Sequence, residues 1–279
     1  MSIDLHIHST FSDGTLSPSA IVALAKARRL TAISITDHDT MEGVPEAIVA
    51  GLCAGLEVVP GIELSATYAD LHVHLLGYYI DNEDKGLRSM LEEIQSARNG
   101  RNKKIIEKLQ EQGIPVTFDE VERKSLVGQT GRPHIAQVLV EKGIVSSIDQ
   151  AFTRFLARGG SAHVPRRVLA VVDGIRLITE AGGIPVLAHP ATIDNSLRKI
   201  PTLVEELVQY GLQGLEVYYP THSRKNQKQL SMLAQRYGLV VTGGSDYHGD
   251  IRPGTMLAGG TNIHVPSTVI NQLKKCLRR

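Results

Sequence analysis

Short apolar runs alternate with stretches of helical periodicity over most of this chain, and the alternation breaks once, in the middle. Residues 3–9 read as a first strand, and residues 17–29 as a helix with Pro18 in its first turn, where a missing N–H is harmless. Runs at 32–37 and 57–64 give two more strands on either side of a helix at 44–54, and 71–80 gives a longer strand after a short polar turn. From residue 86 to about 160 the period is helical almost throughout, at 87–112, 118–124, 133–142 and 148–157, with glycines as stops. The alternation then returns, with helices at 168–181, 197–210, 224–237 and 267–277 and strands at 184–189, 214–219 and 239–243.

Repeated strand–helix units imply an α/β fold with a parallel sheet, and six or seven of them in 279 residues favour a closed or nearly closed barrel. The helical stretch is then an insertion. The expected division is a first barrel part at 1–85, a helical cap at 86–165 and a second barrel part at 166–279. A hydrophobic fraction of 42% with 21% charged residues is that of a globular protein. No apolar stretch approaches the roughly 18 residues of a membrane span, and MSIDLHIHS has neither the basic start nor the apolar core of a signal peptide, so a cytoplasmic protein is expected. Cys53 and Cys276 are far apart and read as two thiols.

The net charge of +1 argues against a protein that grips duplex nucleic acid. Residues 86–167 carry 14 Lys and Arg against 9 Asp and Glu, whereas the remainder carries 16 against 20. A basic middle section suits a small anionic substrate. It equally suits an ordinary solvated helical surface.

Histidines and carboxylates cluster at strand ends: His6 and His8 in DLHIHS, Asp13 in FSDG, His38 in TDHD, Glu63 in GIELS, His74 in HVHLLG, His189 in LAHP, and Asp246 with His248 in GSDYH. The carboxyl end of a parallel barrel is where functional groups converge. Residues two apart on a strand share a face, so His6 and His8 can bind one ion, with oxygen donors from Glu63 and Asp246. Asp13, His38 and His248 make a second set, and His74 and His189, bridged by Glu63, a third. Burying so many ionisable groups together without a metal would be costly, and mixed imidazole and carboxylate donors suit manganese, iron or zinc.

In order along the chain, DLHIHSTFSDG, ITDHDT, PGIELS, HVHLLGY, VLAHP and GGSDYH resemble the motifs of the PHP (polymerase and histidinol phosphatase) family of metal-dependent phosphoesterases. The layout is most similar to the group of bacterial nucleoside 3',5'-bisphosphate phosphatases and 5'-to-3' exoribonucleases. The resemblance implies a distorted seven-stranded barrel with an inserted helical cap, and three divalent ions. It puts His6, His8, Glu63 and Asp246 on one ion, Asp13, His38 and His248 on a second, and Glu63, His74 and His189 on a third. His72 competes with His74, which precedes the LLG stretch as the family's ligand does.

For the substrate, Arg132 and His134 in GRPHIA match a family segment that reaches over the site, and His222 in PTHS follows another strand end. Arginine clamps phosphate oxygens in bidentate fashion, and histidine donates to them or protonates a leaving oxygen. His163, Arg166 and Arg167, where the insertion rejoins the barrel, are further candidates. The expected chemistry is in-line attack by a metal-bridging hydroxide on a phosphate ester, without a covalent nucleophile. The expected substrate is a nucleotide with a terminal phosphate or the end of a short single-stranded RNA, with histidinol phosphate or a sugar phosphate as alternatives. Two readings of other classes are an amidohydrolase, which would usually place a bridging lysine where Glu63 stands, and a non-catalytic metal-binding sensor module.

Overall fold

The local signals that start and stop the elements are visible in the computed structural model, which describes residues 2–124, 130–165, 168–252, 255–258 and 263–277. Strand β1 (Ser2–Ile7) leads to α1 (Pro18–Ala27), whose N-cap Ser17 accepts from the Ala20 N–H. Then follow β2 (Ala32–Ile35), α2 (Val44–Ala54), β3 (Glu57–Tyr68) and β4 (Leu71–Tyr78). The insertion comprises α3 (Lys85–Glu111), α4 (Phe118–Glu122), α5 (Arg132–Glu141) and α6 (Ile148–Ala151). The remainder is β5 (Leu169–Ala170), α7 (Val171–Glu180), β6 (Ile184–Leu187), α8 (Pro190–Ile193), α9 (Ile200–Gln209), β7 (Gly214–Tyr218), α10 (Arg224–Tyr237), β8 (Val240–Gly243), β9 (Val265–Pro266) and α11 (Thr268–Cys276). The helix expected at 148–157 ends early, because Phe152–Leu156 widens into a π turn. The short α8, β5 and β9 lay below the length at which periodicity is readable.

The strands form one sheet in the order β8-β7-β6-β4-β3-β2-β1-β9, with β5 beside β3. Beyond the end of β8, Tyr247 pairs in parallel with Ile7, and the His8 N–H donates to the Tyr247 carbonyl (2.9 Å), which brings the last long strand round to the first. The barrel is therefore nearly closed. Gly244 permits this approach, since a Cβ there would lie 2.4 Å from the His6 backbone nitrogen. One expectation is corrected: the sheet is not wholly parallel, because β4 runs antiparallel to both β3 and β6. Only Ala69 and Asp70 separate β3 from β4, and a parallel crossover needs a dozen or more residues.

Asp4 latches this closure. Fully buried, it accepts from the Ser245 N–H (2.9 Å), the Ser245 hydroxyl (2.5 Å) and the Ala258 N–H (2.7 Å). Asp4→Ala would leave the buried Ser245 N–H and the half-buried Ala258 N–H unpaired, and we expect a loss of roughly 3 kcal/mol in urea unfolding. A loss below about 1 kcal/mol, the size of an ordinary surface change, would show that the latch is dispensable.

The core has several parts. Strand residues such as Leu64, Leu75 and Leu187 pack against α7 and α9 through Ile175, Ile178 and Leu203. Ile105, Leu109, Ile135, Leu139 and Phe155 form a separate cluster within the insertion. Helix α3 joins the two, with Leu87 and Leu91 in the barrel cluster and Ile105 and Leu109 in the other. Among the described residues, no helix is long and apolar enough to cross a membrane.

Candidate metal centre

Pairing between β2 and β3 continues beyond β2 into the loop, where His38 lies beside Glu63 and the Asp39 N–H donates to the Glu63 carbonyl (2.9 Å). One extra residue between Asp4 and Ile7 on β1 forms a bulge next to His6, a common device for aiming a side chain. Around these strand ends, four overlapping groups of donors lie within 4.8 Å: His8, Asp13, His38 and His248; His6, Glu63 and His189; His6, His8 and Asp246; and His38, Glu63 and His74. Every metal-ligand candidate from the sequence falls in this cluster. His74 is the member from its strand, with Nδ1 2.8 Å from Glu63 Oε1, whereas His72 is exposed.

Glu63, 1% exposed, divides its two oxygens between neighbours. Oε1 faces His74 Nδ1 (2.8 Å) and His189 Nε2 (2.9 Å), while Oε2 faces His6 Nε2 (3.4 Å), His8 Nε2 (3.2 Å) and His38 Nδ1 (3.0 Å). Asp246 Oδ1 meets His6 and His8 from another side (3.5 and 3.2 Å), and Asp13 Oδ1 stands 3.3 Å from His248 Nε2.

The other ends of the rings are tied down, which sets their tautomers. His248 Nδ1 donates to the Asp246 carbonyl (2.8 Å), and a carbonyl only accepts. His6 Nδ1 donates to Glu216 Oε1 (3.0 Å). Thr192 gives its hydroxyl proton to the His189 carbonyl (2.9 Å), so its oxygen accepts from His189 Nδ1 (2.8 Å). Each of these rings then turns its Nε2 toward the cluster. His6 Nε2, His8 Nε2, His38 Nδ1, Glu63 Oε2, Asp246 Oδ1 and His248 Nε2 are buried without a hydrogen-bond partner. Buried polar atoms are ordinarily satisfied. Unsatisfied lone pairs that converge, with their far sides held by carboxylates and carbonyls, fit divalent cations.

Charge is distributed accordingly. Burial pushes the Glu63 carboxyl up, but the His38, His74 and His6 rings outweigh this and hold it well below the usual carboxylate range. Burial likewise raises Asp13, and His248 and His38 bring it well below. Burial lowers His8, yet Asp246 and Glu63 lift it to about 10, while burial prevails at His38 and takes it to about 4.

Sequence reading missed the groups that support the candidate ligands. Asp37 accepts from the Ser9 N–H (2.7 Å) and from the Ser9 and Ser12 hydroxyls (2.6 Å each), folding the loop that carries Asp13. Asp39 accepts from the Ser65 N–H (2.8 Å) and is ion-paired with Arg98 of α3. Asp246 Oδ2 accepts from Tyr219 (2.7 Å) and Arg252 (2.5 Å), which leaves Oδ1 for the cluster. Glu216 lies fully buried behind His6 and His189. The signal for Glu216 was present, since a lone carboxylate interrupts the apolar run GLEVYY.

A cleft of about 190 Å³ opens over Asp13, His38 and His74, lined from the insertion by Arg98, Arg101 and Arg132. Arg132 Nη1 donates to the Leu156 carbonyl (3.2 Å) and its guanidinium sits 5.4 Å over the Phe152 ring, while Arg101 Nε donates to the Val164 carbonyl (2.9 Å). His134 is buried at the start of α5, where its Nδ1 accepts from the Gly131 N–H (3.0 Å) and burial holds its pKa down. Its neutral ring therefore carries the proton on Nε2. His163 lies near Arg101 and Arg132, and burial and these cations lower its pKa. Arg166 and Arg167 lie outside the described residues.

His222 departs from the sequence expectation. It is fully buried, its Nδ1 donates to the Val217 carbonyl (2.8 Å), and its Nε2 accepts from the Ala191 N–H (3.4 Å). Both ring nitrogens face the backbone, so in this arrangement it anchors the turn after β7.

A family model described as the PHP domain matches residues 4–143. A 5'-3' exoribonuclease of Haemophilus influenzae is 32% identical over 268 residues, covering 96% of each chain. The chain belongs to the PHP family. Another similar member is a 3',5'-nucleoside bisphosphate phosphatase of Chromobacterium violaceum, 32% identical over 251 residues, 88% of this chain and 87% of that one. A solved structure from Bifidobacterium adolescentis, assigned as a metal-dependent phosphoesterase, matches with a TM-score of 0.88 at 31% identity, covering 99% of this chain and 96% of that one. The nearly closed barrel with β4 reversed is thus the PHP fold.

Proposed function

We propose that this PHP protein is a metal-dependent phosphoesterase that hydrolyses phosphate esters of nucleotides, either 3',5'-bisphosphate nucleotides or the 5' ends of short RNA. The observation that carries the reading is the set of unpaired, buried ligand atoms converging around Glu63, directly beneath a cleft lined by three arginines. The names of the Haemophilus and Chromobacterium relatives support the substrate class. In our assignment His6, His8, Glu63 and Asp246 hold one divalent ion, Asp13, His38 and His248 a second, and Glu63, His74 and His189 a third, with manganese favoured over iron or zinc. Such ions supply Lewis-acid stabilisation of phosphoryl charge and an activated water.

The chain's own residues complete the site. Arg132, braced against Leu156 and Phe152, presents its guanidinium to phosphate oxygens from the wall of the cleft. His134, neutral with a proton on Nε2, serves as a donor rather than a base. We read residues 86–165 as a cap whose own core, around Ile105 and Leu139, holds these groups over the barrel and restricts access to small or single-stranded substrates. A cytoplasmic setting goes with substrates of this kind.

The test is phosphate release from manganese-loaded protein presented with 3',5'-bisphosphates, 5'-phosphorylated oligoribonucleotides, histidinol phosphate, sugar phosphates and amides. We expect the first two to turn over fastest, and Arg132→Ala to lower kcat/KM by roughly 100-fold, the size of lost charge-assisted contacts to a phosphoryl group. Preference for histidinol phosphate or amides would replace this reading, and bound metal without turnover of any compound would favour a sensor.

A further inference from the structure

We infer that Glu216 is a positioning residue that aims two of the metal ligands at once and thereby sets the metal affinity of the centre. This rests on the metal-centre reading and not on the choice of substrate. Glu216 is fully buried on β7, and a bulge between Glu216 and Tyr218 in the pairing with β8 adjusts the strand beside it. Its Oε1 accepts from His6 Nδ1 (3.0 Å) and its Oε2 accepts from the backbone N–H of His189 (2.7 Å). Both oxygens are thus occupied from behind the cluster, which makes Glu216 a support and not a ligand.

Each contact has a separate consequence. The bond to His6 holds a proton on Nδ1, turns Nε2 toward the cluster and, through the negative charge, makes that nitrogen a stronger ligand for a metal ion. The bond to His189 fastens a backbone with φ of 26°, a left-handed conformation that L residues rarely adopt and that persists only where its surroundings enforce it. That conformation directs the His189 ring to Glu63 Oε1, 2.9 Å away. Only a carboxylate serves both, because it accepts at each end. An amide of the same shape accepts at one end and presents N–H against N–H at the other.

The experiment compares wild type with Glu216→Gln and Glu216→Asp, reading Mn2+ affinity by competition with a chelator, the urea midpoint of the metal-free protein, and the absorption spectrum of the Co2+-loaded protein. For Glu216→Gln we expect a lowered metal-free midpoint, because a buried N–H is left unpaired, together with Mn2+ dissociation constants raised about 10- to 100-fold in the folded protein and altered Co2+ bands. Glu216→Asp keeps the charge and should recover part of the affinity. Should the glutamine variant not fold, the aspartate variant carries the test, with weakened Mn2+ binding expected at a wild-type midpoint. Wild-type affinity in the glutamine variant would overturn the inference, as would affinity and metal-free stability falling together without recovery in the aspartate variant. Failure of the wild type to take up any divalent ion would instead remove the metal-centre reading itself.

Discussion

Glu63→Gln is expected to reduce phosphate release by at least about 10³-fold, the scale of losing a charged group that organises a metal site at the reacting centre, and to lower the bound metal per chain. Glu63 sits 1% exposed with Oε1 toward His74 and His189 and Oε2 toward His6, His8 and His38. The surrounding imidazoles hold it well below the usual carboxylate range, so it is ionised throughout the working pH range and glutamine removes a full negative charge. An amide has one oxygen to give, and its nitrogen bears only protons, so one of the two half-sites loses its donor. Elemental analysis beside a phosphate-release assay checks this. Full metal content with a rate within three-fold of wild type would mean that Glu63 does not bridge.

The second large effect concerns the metals and pH together. Removing divalent ions with a chelator should abolish turnover and destabilise the fold by about 4 kcal/mol relative to protein held at a thousand-fold excess over the dissociation constant. That corresponds to a drop in Tm of roughly 10 °C for a chain of this size. The direction with pH follows from His8. Its pKa in the metal-free fold is raised from 6.5 to about 10, with burial opposing and Asp246 and Glu63 prevailing. A raised pKa adds stability that is fully present below about 6.5 and is lost as pH rises through about 10. A metal ion must displace that proton, so its affinity grows with pH. The difference in Tm between loaded and stripped protein should therefore be larger at pH 8.5 than at pH 6. Equal differences at both values would show that His8 does not exchange a proton for metal.

Where sequence reading worked, it read short-range physics. His6, His8, Asp13, His38, Glu63, His74, His189, Asp246 and His248 announced themselves because polar residues that interrupt or end apolar strands need a reason to be there, and all of them meet in one cluster. Helices such as α1 and α10 were legible from periodicity, and Pro18 marked the first turn of α1. Reading failed where the reason for a residue is a distant partner. His222 follows a strand end just as the ligands do, but the Val217 and Ala191 backbones consume its nitrogens. Nothing local in the sequence singles out Arg98, which α3 carries to Asp39.

The sequence by itself determined the alternation of strands and helices, the run of helices between β4 and β5 and the inventory of candidate ligands, because each depends on side-chain type and local period. Only the tertiary structure decided that β4 runs backwards, that Asp4 latches the ends of the barrel, and that Glu216 stands behind His6 and His189. The last two pairings join residues 241 and 210 apart along the chain. Their geometry exists only once the sheet has curled, when burial makes each carboxylate the acceptor for donors far away along the chain.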